Sequence, residues 1–245
     1  MSHSWESGSR NGILTNLVVA DRWLIRQYLQ PVPLTVREQL MKPGVSIEYV
    51  YFIERGTVSI NADATDRSIE VACIGREGML GLSVVLGHTM MNVHAHVQLA
   101  GSALRMRADD LRTAMAASDT LRSALLSYAH TMICEITDTV AVAGCLPIVE
   151  RLARFLLKVS DRIDQPAIPL THDYIAKALG VRRSSVTTAM HVIEGERAVR
   201  STRSLTTLTD TDQLRRVSGH STTERRRAAI HPVANCPVQS RVAMD

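Results

Sequence analysis

The chain has 245 residues, 45% of them hydrophobic and 21% charged, enough apolar content to bury one or two cores and too much for a mainly disordered polymer. No apolar run approaches the roughly 18 residues that cross a bilayer, and the polar start from Met1 to Asn11 has no secretory apolar stretch, so a cytoplasmic protein with no membrane partner is expected. The net charge of +4 is uneven: residues 1–145 carry −2, residues 146–217 carry +4 and residues 218–245 carry +2, the asymmetry expected when one part of a chain meets phosphates and another does not.

The elements follow in order. Asp21 to Leu29 reads as a short helix stopped by Pro31 and Pro33. From Ser46 to Ile53 the chain is β-branched and aromatic, Glu54 to Gly56 reads as a turn, and Thr57 to Ile60 as the returning arm of a hairpin. A strand from Ser68 to Ile74 follows, then Gly75, Gly78, Gly81 and Gly87. Val93 to Leu99 places apolar residues on odd positions, and Ser102 to Met106 reads as a last, separate strand before a helix over Asp109 to Ala117. Short strands with glycine turns predict an antiparallel sandwich or barrel of the jelly-roll kind.

Leu121 to Ala143 contains neither proline nor glycine, and Leu121, Leu125, Tyr128, Met132, Ile136 and Val140 recur at helical spacing. One long helix is expected, its stripe either packed on its own sandwich or paired with a second copy. Pro147 opens another helix, with Ile148, Leu152, Phe155, Leu156 and Val159 on one face. Cys73, Cys134, Cys145 and Cys236 are scattered without a CxxC pair, which predicts buried, reduced thiols and no bound cofactor or metal.

The densest signal runs from Thr171 to Ile193. Thr171 is placed to cap a first helix, with Asp173 in its first turn. Ala176 is small where a second helix must cross, Gly180 supplies a turn, and Ile175, Leu179, Val181, Val186 and Ala189 make a small core. That spacing predicts a helix-turn-helix whose second helix exposes Arg182, Arg183, Ser184, Ser185, Thr187, Thr188 and His191 to DNA. Guanidinium groups suit guanine edges, hydroxyls suit bases or phosphates, and the amides of a helix start suit phosphate. Ala198 to Leu208 then reads as two strands around Thr202, Arg203 and Ser204, a wing whose Arg203 reaches a phosphate.

These residues resemble the Crp/Fnr superfamily of bacterial transcription regulators over about residues 13–215: Gly44, the segment from Tyr51 to Gly56, the glycines from Gly75 to Gly81, the long helix, and above all Leu170 to Arg203. The resemblance implies an α+β chain with an N-terminal antiparallel β jelly roll of effector type (1–118), a dimerisation helix (119–145) and a C-terminal winged helix-turn-helix (146–217); beyond it, the loss of periodicity, the basic run from Arg225 to Arg227 and two prolines predict a disordered basic tail (218–245). It implies a homodimer on a palindromic operator in double-stranded DNA, RNA polymerase as a partner, and a small-molecule effector of unidentified kind. Arg183 matches the arginine of the family's recognition helix. Ser184 and Thr188 stand where many relatives have a glutamate and a second arginine, which implies a different operator.

Cyclic-nucleotide-binding relatives resemble one another in a Gly-Glu that takes the ribose and an Arg-Ser/Thr-Ala that takes the phosphate. Here an effector pocket built on Gly81, Leu82, Ser83, Thr89 and Met90 has neither charge, and an unpaired phosphate is costly to bury. Cyclic AMP in the usual manner is therefore not expected. His94 and His96, two apart on a strand, raise the rival reading of a cupin-like metalloenzyme, but Leu99 and Ala100 stand where its acidic ligand would be. No catalytic constellation is read, and an enzyme is not expected.

Overall fold

The computed structural model describes residues 8–64, 67–202 and 204–219; Arg203, Cys236 and the expected tail from residue 220 onward lie outside them. It begins with two short helices, α1 (Gly12–Asn16) and α2 (Val19–Arg26). Buried Asn11 anchors the first: its amide oxygen accepts from the amides of Ile13 and Leu14, and its amide nitrogen donates to the carbonyls of Ile53 and Gly78 at 2.8 and 2.7 Å. The prolines expected to stop a helix instead lie inside strand β1 (Gln30–Leu34). This strand ends the sheet order β1-β6-β3-β4, and an edge tolerates residues that donate no ladder hydrogen bond.

The roll is a six-stranded antiparallel sheet of β1, β2 (Gln39–Met41), β3 (Tyr49–Ala64), β4 (Arg67–Ile74), β5 (Met79–Leu80) and β6 (His94–Arg107). Two sequence expectations are corrected. The chain does not reverse at Glu54 to Gly56; β3 runs on through Gly56, with register shifts against β6 between Ile53 and Val58. Likewise the two strands expected at Val93–Leu99 and Ser102–Met106 are one, β6. The cause is a close crossing. Gly56, at φ 79°, lies against the carbonyl oxygens of Leu99 and Ala100, and Gly101 lies against the backbone of Arg55, so neither position has space for a Cβ. Extra residues at such a point bend a strand and sharpen its twist without ending it.

Helices α3 (Leu82–Val85) and α4 (Ala108–Ala117) close the roll. Helix α5 (Asp119–Cys145) starts on Ser118, whose hydroxyl accepts from the Leu121 amide at 3.2 Å and donates to Asp21 of α2. The expected stripe divides between two fates. Leu121, Leu125 and Met132 are buried in the core of the chain's own roll with Phe52, Ile74 and Leu111. The stripe's far end, Val140, stays bare at 66% exposure, in line with Leu126 and Ile133 of the neighbouring face at 43% and 54%.

The C-terminal part comprises α6 (Ile148–Ile163), β7 (Ala167–Ile168), α7 (His172–Leu179), α8 (Arg183–Gly195), β8 (Val199–Ser201), β9 (Thr206–Leu208) and α9 (Thr211–Val217). Its core gathers Leu152, Leu156, Ile168, Ile175, Val186, Met190, Ile193 and Leu214. Neither β7, which makes the wing hairpin a three-stranded sheet, nor α9 is among the elements expected from the sequence. The α+β class, the antiparallel N-terminal sheet and the C-terminal helix-turn-helix are as expected.

The parts are joined by a buried charge. Arg162 of α6 is 8% exposed, and its guanidinium donates to Glu77 of the roll at 2.8 Å and to Glu135 of α5 at 2.6 Å, while Lys158 also pairs with Glu135. Burial pushes the Glu135 carboxyl up, but the charges of Arg162 and Lys158 outweigh it and hold the group below the ordinary range. Gly75 leaves space for this arginine, since a Cβ there would come within 2.6 Å of the Arg162 Cβ.

Candidate nucleic-acid interface

The two-helix corner is fixed at both ends of α7. The Thr171 hydroxyl accepts from the Tyr174 amide at 3.2 Å, as its capping position requires. At the other end Gly180 takes φ 66°, and the amides of Gly180 and Val181 return to the carbonyls of Lys177 and Ala176. Glycine is required there twice over, because a Cβ would also come within 2.8 Å of Ile69 on β4. Ile175, Val186 and Ala189 are buried between the helices, with Leu179 and Val181 partly buried against them.

Helix α8 therefore presents a defined face. Arg182, at its N-cap, and Arg183, Ser184, Thr188 and His191 are exposed, while Ser185 and Thr187 are half-buried. Arg182 gives no side-chain cap, so the first amides of α8 open toward solvent, where an anion is favoured. The Arg183 guanidinium lies 3.5 Å from Asp173 of α7, an exposed pair that contributes little and yields readily to a stronger partner. His191 lies 3.4 Å from Glu194. The hydroxyls of Thr187 and Thr188 donate to the carbonyls of Arg183 and Ser184 within α8.

Two residues that the sequence reading did not place at this site join it. His172, the first residue of α7, sits between α8 and the wing: its Nδ1 is 3.1 Å from the Thr187 hydroxyl and its Nε2 is 3.3 Å from the Ser201 hydroxyl. Glu194 accepts from the Ser201 amide at 2.7 Å, tying the end of α8 to β8. Helical spacing puts His172 beside the cap but carries no signal that it reaches a strand 29 residues on. At the wing tip the Thr202 amide donates to the Leu205 carbonyl at 2.8 Å.

Away from this face, the residues read as an effector pocket form a shoulder of the roll. Gly81 caps α3 at φ 106° with its Cα side against Val50, Leu82 packs on the core, and Ser83 is half-buried. Thr89 and Met90 are exposed on the following loop. A cavity of about 450 Å³ opens elsewhere, beside α1 and α2, lined by Leu14, Val19, Trp23 and Leu29. His94 and His96 do not converge: His94 Nε2 is 2.9 Å from Asp63, whereas His96 Nε2 faces the Tyr174 hydroxyl at 3.4 Å across the boundary with α7. Among the described residues no group of three or more His, Cys, Asp or Glu is set to hold a metal. The described cysteines are free. Cys73 is buried, its thiol pushed up by burial, but Cys134 is half-buried and Cys145 exposed, against the expectation that all are buried.

The Crp-like helix-turn-helix family matches residues 150–217. The C-terminal part is a Crp-like helix-turn-helix domain. About four fifths of the chain shares the fold of solved Crp/Fnr-type transcriptional regulators. A protein from Eubacterium rectale assigned to that family superposes with a TM-score of 0.68 at 16% identity, covering 86% of this chain and 99% of the other. FixK2 from Bradyrhizobium japonicum gives 0.69 at 18% identity, over 79% of this chain and 99% of its own. A Crp/Fnr-family transcriptional regulator from Thermus thermophilus, TTHA1359, gives 0.65 at 18%, over 78% and 99%. No curated protein sequence matches the chain. Among the described residues no helix of this Crp/Fnr-fold protein is long and apolar enough to cross a membrane.

Proposed function

We propose that the protein binds DNA sequence-specifically as a homodimer, with α8 in the major groove, and regulates transcription from a palindromic operator. The observation that carries this reading is the exposed face of α8, with Arg182, Arg183, Ser184, Thr188 and His191 turned outward from a corner that Thr171 and Gly180 lock. Arg183 reads a base edge, and the α8 amides, Thr171 and Ser185 meet phosphate. Thr187 contributes its remaining lone pair, since its hydrogen is committed to Arg183.

In this reading the chain divides into a roll over residues 1–118, a dimer helix over 119–145 and a DNA-binding domain over 146–217. On α5 the outward residues Leu126, His130, Ile133, Thr137, Val140 and Gly144 are all exposed. They follow one another at alternating steps of four and three, the spacing of a two-stranded coiled-coil seam. That seam, rather than the stripe through Leu125 and Met132, faces the second copy. Gly81, Leu82, Ser83, Thr89 and Met90 form the effector face of the roll, which lacks the charges that cyclic AMP demands. RNA polymerase is the further partner this function requires.

Selection of bound duplexes from a random pool is the test. A palindrome with half-sites about 10 base pairs apart, centre to centre, is the expected product; enrichment of no sequence would overturn the reading.

A further inference from the structure

The imidazole of His172 connects three elements of the domain. It belongs to α7, touches α8 through Thr187 and touches β8 through Ser201. The hydrogens can be assigned around it. The Thr187 hydroxyl has one hydrogen and donates it to the Arg183 carbonyl at 3.2 Å, so toward His172 it accepts. Nδ1 is then the protonated nitrogen, while at Nε2 the Ser201 hydroxyl divides its one hydrogen between the ring and the Thr202 carbonyl at 3.4 Å. Hydrogen bonds thus connect the wing strand, the ring, Thr187 and the backbone of Arg183, and linked hydrogen bonds polarise one another. The next residue, Asp173, holds the Arg183 guanidinium from the same helix turn. Adjacent residues of α7 thus reach the backbone and, through an exposed pair that yields readily, the side chain of the residue placed to read DNA.

We propose that His172 is a positioning residue for operator recognition, setting the first turn of α8 and the wing strand as one unit so that base contacts and flanking phosphate contacts are made in register. The proposal rests on the DNA-binding reading above and adds a residue that contacts no base. His172 lies one turn before Ile175 and Ala176 on the same face of α7, but its ring is only half-buried, among hydroxyls at the end of the helix, where the buried apolar core has ended. Its effect therefore falls on the geometry of the bound face more than on folding.

Gel shifts on the operator selected by the unaltered protein and on a random duplex, with thermal melting alongside, test this in the full chain. His172→Leu is expected to lose about tenfold on the operator, the scale of one net hydrogen bond, with little change on random duplex or in melting temperature. His172→Asn, whose amide nitrogen falls near the place of Nδ1, restores the link to Thr187 and most of the loss. In a Thr187→Val background the further change His172→Leu costs little more. Equal losses on both duplexes, an operator loss that Asn does not recover, or no loss at all would overturn the proposal while leaving DNA recognition standing. If His172→Leu lowers the melting temperature, coupling to Thr187→Val seen in operator affinity supports the proposal and coupling seen in melting alone overturns it. If the unaltered protein selects no sequence, the DNA reading itself fails and this inference with it.

Discussion

In the two-helix corner of the helix-turn-helix the residues that meet are near neighbours in sequence: Thr171 caps Tyr174, Ala176 receives the amide of Val181, and Asp173 reaches Arg183. In the roll they are distant: Asn11 bonds Gly78, Gly56 crosses Gly101, and Tyr128 of α5 donates to the Met79 carbonyl at 3.1 Å. The first region can shift one contact and keep its shape, because each turn is specified locally. The second is specified by closures that hold together or not at all. A graded response is therefore expected in the helix-turn-helix and an abrupt one in the roll.

The sharpest break of that contrast is Gly101→Val. Its side chain would overlap the backbone of Arg55, so a loss of about 4 kcal/mol or more is expected. Thermal melting should show the roll no longer folding as a unit. A variant that melts like the unaltered protein would show that the crossing is not obligatory.

Arg162→Ala comes next, since it takes the ion pair from Glu77 and leaves Glu135 with Lys158 alone at the junction of the two regions. About 3 kcal/mol should be lost in denaturant unfolding at neutral pH. The pH dependence carries a sign. The Glu135 carboxyl is held below its ordinary value of 4.5 in the fold, so its contribution is fully present above that pH and lost as pH falls through the folded value. Glu70, buried and bonded to Ser59, is pushed up by burial and acts in the opposite direction: its contribution is present at low pH and lost as pH rises. Glu135→Gln should therefore flatten the acid limb of the stability profile. An unchanged limb would remove the clamp from the account.

On α5 the two faces should separate. Ile133→Glu with Leu126→Glu is expected to give folded monomers at micromolar concentration in sedimentation, whereas Leu125→Glu, which buries a charge in the roll, should unfold it. Monomers in the unaltered protein would eliminate the seam. Within the recognition helix, Arg183→Ala should cost about 1–3 kcal/mol on the operator and relax preference at one position in each half-site. Loss shared equally by random DNA would reduce Arg183 to a phosphate contact. The smallest expected effect is that of cyclic AMP: calorimetry should register no binding, and micromolar affinity dependent on Ser83 or Thr89 would show that the shoulder of the roll binds a nucleotide in another way.

The sequence by itself determined the helix-turn-helix almost residue by residue, because caps, a left-handed glycine and small-residue crossings act over a few positions. It determined that α5 is long through the absence of proline and glycine from Leu121 to Ala143, and the antiparallel character of the roll through alternation and turn residues. Tertiary structure decided the rest. Gly56 in sequence is indistinguishable from a hairpin glycine; the nearness of Leu99 and Ala100 makes it a crossing that bends β3 onward. Pro31 and Pro33 stop a helix by local rules, yet at a sheet edge they extend a strand. Periodicity found an apolar stripe on α5, but only the roll's own core decided that Leu125 faces inward and that Leu126 and Ile133 stay exposed. His172 gains its place for the same reason. Ser201 comes within reach when the wing folds back, and no spacing rule along one helix encodes a contact that two other elements must close.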